Sequence, residues 1–106
     1  MLNNLYINTI RICIKAKKIS IGETMLYDIR SNKAKVVVIA TDAGEASKKK
    51  VKDKCKSFEV KCIEMLTKQD LAILFNKDIS GFAITDENLA NKFIENLNKG
   101  GIHYGN

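Results

Sequence analysis

The chain has no proline and only one histidine among its 106 residues. Without proline, boundaries between elements have to be read from glycine, capping residues and hydrophobic periodicity. The histidine, His103, lies beyond the consecutive glycines Gly100 and Gly101. A general base must be held within hydrogen-bond reach of the proton it takes, and a tail beyond a glycine stop is a poor place to hold one. No P-loop or GxGxxG string is present, so nucleotide binding has no motif behind it. The three cysteines, Cys13, Cys55 and Cys62, are odd in number and form no CxxC. That argues against a zinc site or a dithiol redox motif. Two of them fall in apolar patterns, as reduced core thiols of a cytosolic protein do. No apolar run is long enough to cross a bilayer. Asn3, Asn4, Asn8, Thr9 and Arg11 interrupt residues 1–16, so no signal-peptide core is expected. These absences lead to the expectation of a cytoplasmic, non-catalytic protein with no cofactor, metal or small-molecule substrate.

What is present points to a small α/β domain that meets a polyanion. The length suits one domain with one core; residues 1–100 are read as that domain and 101–106 as a flexible tail. The formal charge of +6 favours an acidic partner, although lysine-rich surfaces also serve solubility alone. Val36-Val37-Val38-Ile39-Ala40 is a continuous apolar run that suits a strand covered on both faces. It leads into a lysine-rich helix over about 44–57, whose Val51, Cys55 and Phe58 form one apolar stripe. Lys48, Lys49, Lys52 and Lys56 fall together beside that stripe, and Lys50 and Lys54 flank its other side. Asp42 and Glu45 have capping-box spacing at the helix start.

Elsewhere the pattern alternates in the same way. A first helix is expected over 3–16, with Tyr6, Ile10, Cys13 and Ile14 on one side and Leu2, Leu5 and Ile12 left outward. Ile19-Ser20-Ile21 reads as a short edge strand. After Gly22, Met25, Leu26 and Ile29 mark a second helix. Val60 to Met65 reads as a strand with Val60, Cys62 and Glu64 on one face. Thr67 to Asp70 starts a helix, Asn76-Lys77-Asp78 is a loop, and Ile79 to Thr85 is a strand in which Gly81 marks a bend or close backbone approach. Asp86 opens a last helix with Leu89, Ala90, Phe93, Ile94 and Leu97 inward. This order predicts a three-layer α/β/α sandwich around a four-stranded mixed sheet.

Two turns are candidates for ligand contact. Gly22 before a helix lets backbone come close to a ligand, and a helix amino end favours phosphate. Lys17 and Lys18 precede it in sequence, and Lys33 and Lys35 follow its helix. An ordinary strand-to-helix glycine among solvated lysines explains the same residues. Asn76-Lys77-Asp78-Ile79 offers a cation, polar side chains and an apolar tip suited to an unstacked base, or simply a connection. Asp42 and Asp86 each follow a strand, where α/β sites gather carboxylates, but capping accounts for both.

Several strings, in order, resemble the ribosomal-protein L7Ae/L30e superfamily that binds kink-turn RNA, and within it the small bacterial YlxQ-like branch. They are Lys17-Lys18 with Gly22-Glu23, Ala34-Lys35-Val36-Val37-Val38, Thr41-Asp42-Ala43, Lys49-Lys50-Val51, Asp53-Lys54-Cys55, and Ala83-Ile84-Thr85-Asp86 with Ala90-Asn91-Lys92. The likeness spans about residues 9–97. It implies an α/β/α sandwich that binds structured RNA, rRNA or the ribosome, as a monomer and without catalysis. It implies an RNA-binding set of Lys17, Lys18, Gly22, Glu23, Thr24, Lys33, Lys35, Asn76, Lys77, Asp78 and Ile79. The chain departs from the superfamily's strongest RNA readers at Thr24, Met25 and Asp28, and Ala72 replaces a customary glycine. A protein-interaction adaptor for an acidic partner is the alternative.

Overall fold

The computed structural model describes residues 5–99, and His103 and the expected tail lie outside them. Nine elements alternate: α1 (Leu5–Lys15), β1 (Ile19–Ser20), α2 (Gly22–Arg30), β2 (Val36–Ile39), α3 (Glu45–Ser57), β3 (Lys61–Glu64), α4 (Lys68–Phe75), β4 (Gly81–Ile84) and α5 (Glu87–Lys99). The strands form one mixed sheet in the order β1-β4-β2-β3. β2 runs parallel to β3 and antiparallel to β4, and β1 is antiparallel to β4 at the edge. β2 and β4 are central, and all their residues are buried, as the unbroken apolar run requires.

The pleat sorts the side chains into two layers. Glu64 faces α3, where Lys48 and Lys52 meet it. Its register partner is Ile39, so Val37, Ile39 and Ala83 face the α2–α3 layer. Small Ala83 and its partner Ser20 leave room there for α2. On the other face Val36, Val38, Phe82 and Ile84 meet α1, α4 and α5. Phe75 of α4 lies on Phe82 with ring centroids 5.1 Å apart, and Tyr6 of α1 meets Phe93 of α5 edge-on.

Gly81 is the close approach that its position suggested. A Cβ there would stand 2.8 Å from the Val38 carbonyl oxygen, inside the contact distance of any real side chain. Thr67 and Asp86 cap α4 and α5 as expected. Thr67 Oγ1 accepts from the Asp70 N–H while the Asp70 carboxylate accepts from the Thr67 N–H, and Asp86 Oδ1 accepts from the Leu89 N–H.

Three expectations are corrected. Asp42 and Glu45 form no capping box. The Ala43 N–H turns back onto the Ala40 carbonyl, the N-cap falls on Gly44, and Asp42 points to α4, where its Oδ1 accepts from the Lys68 N–H. Phe58 is not core but 38% exposed, because the helix ends at Ser57 and Phe58 is its C-cap. The last strand begins at Gly81, which leaves Ile79 and Ser80 in the preceding loop. Of the six lysines of α3, Lys48, Lys49 and Lys52 make ion pairs, and Lys50, Lys54 and Lys56 make none among the described residues. Glu64 takes Lys48 and Lys52 at 2.8 and 2.7 Å, and Asp53 takes Lys49 at 3.2 Å.

Candidate nucleic-acid interface

At one end of the sheet a cleft of about 470 Å³ lies between the start of α2 and the loop before β4. Ile21, Gly22 and Met25 line one wall, and Lys77, Asp78, Ile79, Ser80 and Gly81 the other. Lys68, the first residue of α4, closes a third side.

The geometry of each wall follows from local chemistry. Gly22 has φ +60°, a conformation that side-chain-bearing residues rarely adopt. The space where its Cβ would stand is open, so glycine is needed for the turn and not for room. Ile21 is the N-cap of α2 and supplies no side-chain cap bond. The N–H groups at the helix start therefore face outward without a protein side chain to accept them, which suits an anion. On the facing wall Asn76 ends α4 in the left-handed conformation, φ 55°, which an asparagine side chain tolerates. That reversal sends Lys77 and Asp78 outward, and the chain then enters β4 through Ile79 and Ser80. The Ala40 N–H donates to the Ser80 carbonyl at 2.8 Å, which fixes the loop's exit against β2.

Lys68 was not singled out in the sequence, where it is one more lysine after a helix cap. Its position is set from two sides. The Thr41 N–H and hydroxyl both donate to the Leu66 carbonyl, at 2.8 and 3.0 Å, and Asp42 holds the Lys68 N–H at 2.8 Å. The Thr41-Asp42 pair thus serves the cleft by seating the start of α4.

The predicted residues separate into two groups. Gly22, Lys77, Asp78 and Ile79 line the cleft. Glu23 and Thr24 lie exposed on the first turn of α2 beside it, and Asn76 ends the helix from which the loop departs. Lys17, Lys18, Lys33 and Lys35 are elsewhere. Ile19 and Val36 both pair with Ile84, and Ile39 pairs with Gly81. The four lysines therefore flank the Ile84 end of β4, and the cleft flanks its Gly81 end. At a strand rise of about 3.3 Å per residue the two ends are roughly 10 Å apart. Of the departures at α2, Met25 lines the cleft and is 5% exposed, while Asp28 is 8% exposed.

The thiols offer no exposed nucleophile at this site. Burial, then the charge of Asp86, pushes Cys13 up to about 11. The hydrogen bond between Cys55 and Cys62 raises the first thiol and lowers the second, but both lie on the α3–β3 side of the sheet.

Residues 8–94 match the family model described as the ribosomal protein L7Ae/L30e/S12e/Gadd45 family, and the chain belongs to that family. Among its curated relatives is the RNA-binding protein YlxQ of Enterococcus faecium, 40% identical over 86 residues, which cover 80% of this chain and 84% of that protein. The RNA-binding protein YlxQ of Bacillus subtilis is 33% identical over 85 residues, 78% of this chain and 85% of that one. The fold matches a Bacillus halodurans protein of unknown function at TM-score 0.83 and 19% identity, covering 91% of this chain and 99% of that one. It also matches the Giardia lamblia 15.5kD RNA binding protein at TM-score 0.70 and 21% identity, covering 87% and 81%.

Proposed function

We propose that this protein binds structured RNA without catalysis, and that a bend in the RNA enters the cleft between the Gly22 turn and the Asn76 loop. The observation that carries the reading is the meeting of two segments far apart in sequence, Ile21–Met25 and Lys77–Gly81, around one open cleft that Lys68 also lines. Its composition suits a nucleotide. Ile21, Met25 and Ile79 offer apolar surface for a base, Lys68 and Lys77 offer charge for phosphate, and the uncapped N–H groups of α2 offer donors.

In this reading Gly22 lets the RNA backbone approach, and Glu23 and Thr24 make polar contacts at the helix start. Asn76 and Asp78 shape the second loop, Lys77 neutralises phosphate, and Ile79 packs on an extruded base. The names of the curated relatives and the family support RNA as the ligand, and kink-turn-like RNA of the ribosome in the cytoplasm is the specific target we assign to a monomer. Thr24, Met25 and Asp28 make the recognition of paired bases more permissive than in the strongest readers of the superfamily. Methionine cannot accept a hydrogen bond from guanine as a carboxylate does, and Asp28 disfavours nearby phosphate.

Quantitative binding to a kink-turn RNA tests this. Lys68→Gln with Lys77→Gln is expected to weaken binding about tenfold or more and to reduce the slope of log K against log salt by about 2. Ile79→Ser is expected to weaken binding with the slope unchanged. Wild-type affinity in folded versions of both variants removes the cleft from the interface. Leu5 and Ile12, 52% and 54% exposed on α1, favour a second reading as a protein adaptor. Capture of a partner that survives ribonuclease and is lost in Leu5→Ser/Ile12→Ser supports it.

A further inference from the structure

Lys17 and Lys18 connect α1 to β1, and Lys33 and Lys35 connect α2 to β2. These connections meet at the Ile84 end of β4. The Thr85 N–H donates to the Lys18 carbonyl at 2.9 Å, and the Lys35 N–H donates to the Ile84 carbonyl at 2.8 Å. Lys18 and Lys35 therefore straddle one strand end, about 10 Å apart at two interstrand spacings. Left-handed turns at Lys17 and Asn32, φ 60° and 64°, fold both connections tightly there. Arg30, in the last turn of α2, adds a fifth cation.

Acids hold Lys48, Lys49 and Lys52 of α3, whereas this cluster has no acid partner among the described residues. All five cations are exposed, and none makes an ion pair among the described residues; the ammonium of Lys35 is held by the Asn32 carbonyl at 3.0 Å. The carboxylates at that end are Asp28, Glu59, Asp86 and Glu87; Asp28 is 8% exposed, and its carbonyl accepts from the Lys33 and Ala34 N–H groups, while Glu59 leads into β3 beside Lys35. Asp86 is occupied in capping α5, and Glu87 lies one residue further along the helix. Five exposed cations from two segments, 17–18 and 30–35, stand against four carboxylates, of which Asp28 is buried and Asp86 is engaged in capping; the surplus of positive charge suits regularly spaced negative charge.

We propose that this end of the sheet is a second phosphate-binding face, and that it holds the backbone of a duplex arm continuous with the RNA bend in the cleft. The proposal rests on the RNA-binding reading above. α2 runs from one site to the other, with Gly22 at the cleft and Arg30 among the lysines. Its 9 residues span about 13 Å at 1.5 Å per residue. The described residues span 31 × 27 × 27 Å, so one RNA can touch both ends along the exposed α2–β1 edge. Contacts made only by lysine and arginine to phosphate add affinity and salt dependence and carry no sequence preference. The cleft reads the bend, and the lysine end grips whatever helix leaves it.

The test uses two RNAs with the same kink-turn bend, one with a long duplex arm on each side and one with both arms trimmed to their closing pairs. The wild-type protein is expected to bind the long-armed RNA more tightly and with a steeper salt slope. Lys18→Gln/Lys35→Gln is expected to reduce that slope by about 2 and to remove the difference between the two RNAs. The same variant is expected to keep wild-type affinity for the trimmed RNA. Equal binding of both RNAs by the wild-type protein, or an unchanged slope in the folded variant, overturns the second face and leaves the cleft standing. Loss of binding in the Lys68/Lys77 variant with no loss in Lys18/Lys35 has the same meaning. No binding of either RNA removes the parent reading. If the variant loses a polyglutamate peptide but no RNA affinity, the face belongs to an acidic protein and the proposal fails.

Discussion

Asp42 holds Lys68 by its backbone: Oδ1 accepts the Lys68 N–H at 2.8 Å across 26 residues of sequence. Lys68 lines the cleft, but Asp42 does not. Asp42 acts through position alone, and its own negative charge opposes RNA. Asp42→Asn keeps an acceptor, whereas Asp42→Ala removes it. Asp42→Ala is therefore expected to weaken RNA binding several-fold even though it makes the protein more positive, and Asp42→Asn to retain most of the affinity. A simple charge effect predicts tighter binding in both, so filter binding of the two variants separates the explanations.

Gly81 is constrained by packing. Its missing Cβ leaves the space taken by the Val38 carbonyl, and Ile39 Cδ1 stands 3.1 Å from the same point. Gly81→Ala forces β2 and β4 apart at the sheet centre, next to the cleft. Overpacking of this kind costs about 1–3 kcal/mol, read as a lower urea midpoint. Gly22→Ala meets no atoms within 4 Å, and only its φ of +60° opposes it, at about 1–2 kcal/mol. Equal midpoints for Gly81→Ala and the parent contradict the close approach.

The buried thiol of Cys13 makes stability depend on pH on the alkaline side. Its pKa rises from 9.0 to about 11 through burial and Asp86. A thiol raised in the folded state is neutral there while the unfolded chain ionises, so its contribution is complete below pH 9 and declines as pH climbs toward 11. The decline attributable to this group is about 2–3 kcal/mol over that window. Urea unfolding under reducing conditions at pH 8, 9, 10 and 11 is expected to show a shallower pH dependence in Cys13→Ala than in the parent, even though the cavity lowers its stability at every pH. Parallel curves for the two proteins contradict the assignment.

Features set by neighbours in sequence were legible. The run Val36–Ala40 fixes a central strand by its unbroken hydrophobicity, and Thr67 and Asp86 announce helix starts because a cap bonds its own first turn. The alternation placed Cys62 and Glu64 on one strand face, and the structure turns that face toward α3. Features set by register were not legible. Lys18 and Gly22 are four positions apart in sequence, but β1 runs between them and carries them to opposite ends of the sheet. Asp42 looks like a cap because its distant partner, the Lys68 N–H, leaves no mark in the sequence. Thr9 and Asn96 look like surface polar residues, yet they are 3% and 5% exposed. Asn96 Nδ2 donates to Thr9 Oγ1 at 2.8 Å inside the α1–α5 contact.

The most direct test follows backbone amides of the isotopically labelled protein by NMR while a kink-turn RNA is titrated in. The account predicts that the largest shifts fall on Gly22, Glu23 and Thr24 together with Lys77, Asp78 and Ile79, with Lys68 moving alongside them. Shifts concentrated on α3 or on the outer side of α1, with those seven amides unmoved, would contradict it.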